Sequence, residues 1–143
     1  MAKFGVEDGS YLAAGGHQGV TTLVDAFYRV MDTLAEAEVI RAMHPEDLTL
    51  SREKLTVFLV GWLGGPRNYA TKFGPIRIPA AHKHLAIDEA ARAAWMRCME
   101  IAVGEQTNWS PEFSSYFLEA IAHPARMVLK KAQEEGRGFA ADR

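Results

Sequence analysis

The stretch "GGHQGVTTLVDAFYRVMDTL", residues 15–34, constrains the fold more than any other part of the chain. Within it Val20, Leu23, Val24, Phe27, Val30, Met31 and Leu34 recur at three- and four-residue steps, a spacing that lines one face of an α-helix and neither face of a strand. Gly15 and Gly16 interrupt the chain before it, so the pattern predicts a helix over roughly 18–34. A stripe of that width must be buried against other elements.

The rest of the chain supplies them in the same form. "AEAEVIRAM" reads as a short helix that stops near His44, because Pro45 disfavours helical geometry in the residue before it. In "DLTLSREKLTVFLVGWLGGP" Ser51 is the expected N-cap, Glu53 falls in the first turn, and Leu55, Phe58, Leu59 and Trp62 form the expected buried face. Gly64, Gly65 and Pro66 stop that helix. From Arg67 to Pro79 the pattern weakens into loop, and Pro79 can open a short helix at its first position. Asp88 is the expected N-cap of "EAARAAWMRCMEIAV", where Ala91, Ala94, Trp95, Cys98 and Ala102 share one face and Gly104 ends the element. Ser110-Pro111 starts a last helix with Phe113, Phe117, Ile121 and Val128 at helical spacing, which Pro124 is expected to bend. Residues 1–14 read as an N-terminal extension, and the polar tail over 134–143 as frayed.

The fold class is therefore all-α, and 143 residues suit one domain whose core can enclose a prosthetic group. With 16 basic against 18 acidic residues, charge gives no reason to expect nucleic acid or an anionic membrane as partner. The single cysteine, Cys98, excludes an internal disulfide and a thiolate zinc cluster, and reads as a core residue. The first residues lack the apolar core of a secretory signal and no run of 18 apolar residues occurs, so the expectation is a soluble cytoplasmic protein. There is no HExxH, no P-loop and no GxGxxG. "GWLGGP" follows a helix, where a phosphate cradle would follow a strand.

Two histidines stand out in "PIRIPAAHKHLAID". His82 and His84 differ by two positions, about 200° of rotation on a helix, so at most one of them can point at a central site. An all-α chain with one well-placed imidazole and aromatics on facing helices has what is needed to hold a haem through a proximal histidine.

The segments "GGHQGVTTLVDAFYRVM", "IRAMHPEDL", "FLVGWLGGPRNYATKFGP", "AHKHLAID" and "RAAWMRCMEIAV", in that order, resemble a group II truncated haemoglobin from about residue 14 to 130. The resemblance implies a shortened globin in which two antiparallel helix pairs, B/E and G/H, form a two-over-two sandwich around haem b. His82 takes the proximal position as iron ligand through Nε2, and His84 lies near the haem edge or in solvent. On the distal side the resemblance makes Tyr28 the hydroxyl donor and Trp95 the indole donor, with Phe27 packed behind them. His44 joins that network, and Ser51 and Leu55 are the helix-E residues facing the ligand. The family commonly places two arginines just before the proximal histidine, where they meet the haem propionates. Here those positions hold Pro79 and Ala81, so Arg77, Lys72 and Lys83, with Tyr69 as a hydroxyl partner, are the expected substitutes.

Such a pocket has a physical rationale, since dioxygen on ferrous iron carries partial negative charge that buried donors stabilise in a low-dielectric cavity. The implied function is reversible binding of dioxygen, carbon monoxide, nitric oxide or a similar ligand at a five-coordinate iron, with oxygen transport as one use. Nitric oxide dioxygenation or peroxide reduction is the alternative, and a reductase would then be a partner. The protein is expected to be a monomer or a homodimer. A helical domain with an ordinary core and no haem is the remaining reading, and in it His82 is dispensable.

Overall fold

The computed structural model describes residues 4–66 and 89–125. Their order is α1 (Gly9–Ala13), α2 (Gly16–Thr33), a 3-10 turn (Ala35–Ala37), α3 (Glu38–Ala42), α4 (Thr49–Trp62) and α5 (Glu89–Gly104), followed by α6 over 111–125. No strand occurs among the described residues, and no helix among them is long and apolar enough to cross a membrane.

The central element is α2, which packs against both α4 and α5. It starts two residues before the expected boundary, because Gly15 and Gly16 adopt φ of 96° and 69° and turn the chain directly into the helix. Six of the seven stripe residues, from Val20 to Met31, are buried, while Leu34 at the C-cap is half-buried. Thr21 and Thr22 return their hydroxyls to the carbonyls of His17 and Gln18 at 2.9 Å, so their polar groups are satisfied locally. On α5 the buried residues are Ala91, Ala94, Cys98, Met99, Ala102 and Val103, of which the alanines and Cys98 are small enough to allow close approach to α2. Phe113, Phe117 and Ile121 of α6 are buried, and helical geometry continues through Pro124 to residue 125. The Ser110 hydroxyl caps α6 by accepting the Phe113 N–H at 3.1 Å.

Two expectations for α4 are corrected. The helix begins at Thr49, so Ser51 lies in its first turn instead of capping it. The Asp47 carboxylate accepts the Thr49 N–H at 2.9 Å and so does the work assigned to Ser51. The buried face consists of Thr56, Val57, Leu59 and Val60, with Leu63 at the C-cap. Of the four residues expected there, Leu59 is buried, whereas Leu55, Phe58 and Trp62 are half-buried against the core.

The N-terminal extension is folded onto the body. Ser10 is buried and its hydroxyl accepts the Gly5 N–H at 2.7 Å. Tyr11 N–H donates to the Leu63 carbonyl at 3.0 Å, and Trp109 donates its indole N–H to the Ala14 carbonyl at 2.9 Å. Phe4 packs edge-on to Phe113, with ring centroids 5.1 Å apart. The glycines after α4 therefore do more than stop a helix. A Cβ on Gly64 would lie 1.9 Å from the Glu7 carbonyl oxygen, and one on Gly65 would lie 2.6 Å from the Tyr11 ring.

Candidate distal pocket

Phe27 sits at the middle of α2 and is fully buried. Its ring meets that of Tyr28 at 5.0 Å and that of Trp95 at 5.2 Å, both in edge-to-face geometry. Tyr28 and Trp95 lie on different helices, and the packing of α2 on α5 brings both against one ring. Tyr28 in turn meets the His44 ring at 5.7 Å and 78°. Four residues expected at the site from the sequence, Phe27, Tyr28, His44 and Trp95, thus form one continuous aromatic group.

His44 owes its place to the turn between α3 and α4. Arg41 spans that turn, donating from Nη1 to the Pro45 carbonyl and from Nη2 to the Glu46 carbonyl, each at 3.0 Å, while its Nε meets Asp32 on α2. The imidazole Nδ1 lies 2.8 Å from the Ile40 carbonyl. Since a carbonyl can only accept, Nδ1 carries a proton, which fixes the ring's orientation.

Tyr28 donates its hydroxyl to the Ser51 carbonyl at 3.4 Å, at the long limit for such a bond. Burial raises its phenol well above the ordinary range, and the positive charge of Arg52 opposes that rise only in part. Tyr28 is therefore a neutral hydroxyl, available as a donor, at any physiological pH. Ser51 enters the site through its backbone, since it is its carbonyl that receives this hydroxyl. Next to it the Arg52 Nε is buried with no hydrogen-bond partner. Sequence reasoning missed Arg52, because a charged residue in a first helical turn reads as solvated.

A second set of side chains, on α4, is apolar. Leu55, Phe58 and Trp62 occupy one stripe of α4 and, with Met43 and Trp95, pack against the core while remaining partly uncovered. Phe58 stacks on Trp62 at 6.5 Å, and Trp62 meets Phe117 of α6 edge-on at 5.9 Å. Large apolar side chains left half-covered on α4 and α5, in a fold that also holds neutral hydroxyl and indole N–H groups, fit a flat apolar group with polar chemistry at its centre. Haem is such a group. Tyr69, Lys72, Arg77, His82, Lys83 and His84 lie outside the described residues, as do the Pro79 helix start, the Asp88 cap, Val128 and the tail.

Comparison with known proteins gives a consistent answer. The family model described as bacterial-like globin matches residues 10–128. The group 2 truncated hemoglobin YjbI of Bacillus subtilis (strain 168) is 27% identical over 122 residues, which cover 85% of this chain and 89% of that protein. Among solved structures, the group II 2-on-2 hemoglobin of Agrobacterium tumefaciens is 34% identical with a TM-score of 0.78, covering 89% of this chain and 97% of its own. The cold-adapted truncated hemoglobin of Pseudoalteromonas haloplanktis TAC125 is 28% identical with a TM-score of 0.80, covering 84% and 96%. The helical architecture is that of the 2-on-2 truncated globins.

Proposed function

Because the chain belongs to the bacterial-like globin family, whose members bind small gaseous ligands at haem, we propose that it reversibly binds dioxygen and related diatomic ligands on haem b. Haem supplies the iron at which such a ligand docks, and His82 is its axial imidazole in this reading. Tyr28 and Trp95 are the distal donors. The observation that carries this assignment is the contact of the buried Phe27 ring with both of them, at 5.0 and 5.2 Å.

Each side chain has a defined task. The Tyr28 phenol, kept protonated by burial, offers a hydroxyl to a ligand that accumulates negative charge. Trp95 offers an indole N–H that cannot be an acceptor, which disfavours any ligand atom presenting a proton there. Phe27 fixes the angle between these donors, and His44, tied to the Ile40 carbonyl, braces the Tyr28 ring. Leu55, Phe58 and Trp62 exclude water from the same space, strengthening the donors. The propionates fall to Lys72, Arg77 and Lys83, with Tyr69 as hydroxyl partner.

Absorption spectra of the ferric, ferrous and ferrous carbonyl protein test this reading. We expect a strong Soret band with a histidine-type carbonyl spectrum, and in His82→Ala a loss of that spectrum or its dependence on added imidazole. No Soret band after reconstitution with haemin overturns the haem reading. A His82→Ala protein with wild-type spectra moves the axial ligand to another residue.

A further inference from the structure

We propose that Arg52 biases the distal pocket toward small anionic ligands, acting as a fixed positive charge beside the Tyr28 hydroxyl. The inference rests on the haem-binding reading above and adds to it a specificity-determining residue for charged ligands such as azide, fluoride or nitrite.

Position comes first. The Tyr28 hydroxyl reaches the Ser51 carbonyl at 3.4 Å, so the peptide leading into Arg52 lies against the phenol. Arg52 is in the first turn of α4, anchored there by its own N–H to the Leu48 carbonyl at 2.8 Å. Its side chain is half-buried, and Nε is inaccessible to solvent.

Its charge is also left uncompensated. Nε has no hydrogen-bond partner, and none of the ion pairs among the described residues includes Arg52. Asp47 is the carboxylate that feels the Arg52 charge, but it is fully exposed and its Oδ1 accepts the Thr49 N–H. An exposed carboxylate in water neutralises a partly buried cation poorly. The phenol, by contrast, is buried, and the Arg52 charge opposes in part the rise that burial causes in it. A cation with low-dielectric walls on one side and no counter-ion in contact draws anions into that space.

The test compares a charged with a neutral ligand on the same ferric holoprotein. Azide and imidazole are titrated by the Soret shift, at a pH where azide is anionic and imidazole neutral. In Arg52→Gln we expect azide affinity to fall about tenfold, with imidazole affinity changed by less than about twofold. Arg52→Lys, which keeps the charge and changes the shape, should recover most of the azide affinity. The ferric/ferrous midpoint potential provides a readout independent of ligand. It should fall in Arg52→Gln, since removing a nearby cation favours the ferric state, and hold in Arg52→Lys. Equal losses for azide and imidazole, unchanged azide binding, or an unmoved potential in Arg52→Gln overturn the proposal. A wild-type protein without a Soret band overturns instead the haem reading on which it stands.

Discussion

At its C-terminal end α4 is closed by the N-terminal segment: Tyr11 N–H donates to the Leu63 carbonyl at 3.0 Å, and the Gly64 and Gly65 backbones touch Glu7 and the Tyr11 ring with no room for a side chain. At its N-terminal end the Tyr28 hydroxyl reaches the Ser51 carbonyl only at 3.4 Å, and the Arg52 Nε has no partner. The same helix is thus sealed at one end and left polar and half-satisfied at the other. Unsatisfied groups in a folded interior lower stability, so the unpaired Nε and the long hydrogen bond make this end the less settled of the two.

The sealed end should carry the largest mutational effect on stability. Gly64 has φ of 99°, and a Cβ there would lie 1.9 Å from the Glu7 carbonyl oxygen. Gly64→Ala therefore combines left-handed backbone strain with a backbone clash. A loss of at least about 2 kcal/mol in urea unfolding is expected. The α1 segment should then become sensitive to protease before the rest of the chain. An unchanged unfolding midpoint would show that the extension does not need this contact, and the contrast between the two ends would lose its basis.

The open end should respond in ligand kinetics instead. Trp95 is half-buried and edge-on to Phe27, and Trp95→Phe keeps most of the apolar surface while removing the indole N–H. Losing one buried hydrogen bond of about 1–2 kcal/mol corresponds to dioxygen release faster by about an order of magnitude. Thermal stability should move little. An unaltered off-rate removes Trp95 from the donor set, and a large fall in stability would reassign it to packing.

The division between these ends also explains how far the sequence could be read. The α2 stripe was legible because its apolar residues follow one period and all but Leu34 are buried against protein. In α4 periodicity misled: Leu55, Phe58 and Trp62 are as apolar as core residues, yet they remain half-covered, while the smaller Thr56 and Val60 are buried. Hydrophobicity reports that a face avoids water, without saying whether protein or a cofactor covers it. Ser51 as a cap was displaced by Asp47, two residues before the first helical residue, because an Asx side chain reaches the first free amide from there. The α1 docking had no local signal, since it depends on Gly64, Gly65 and Trp109 far along the chain. The donor roles of Tyr28 and Trp95 are what the ordered resemblance to a family implies, and the contacts of both rings with Phe27 are what tertiary packing adds.

One helical turn of α5 sharpens the contrast further. Trp95 is partly uncovered, whereas Cys98, three residues on, is fully buried. Burial, assisted by the Glu36 carboxylate, pushes the Cys98 thiol up to about 11. In the unfolded chain a thiol ionises near pH 8.5, roughly. Between those values the unfolded state loses its proton while the folded state keeps it, so stability from the neutral thiol is full below the lower value and is lost as pH rises toward the upper one. Cys98→Ala lacks that loss. It should be slightly less stable than wild type at neutral pH, by roughly 1 kcal/mol for the small void, and the gap should narrow as pH rises toward 10. Thermal melts of the two proteins at matched pH measure the gap, so that ionisations common to both cancel. A gap constant with pH would mean that the thiol ionises as freely in the fold as outside it, and that α5 is open at Cys98 as it is at Trp95.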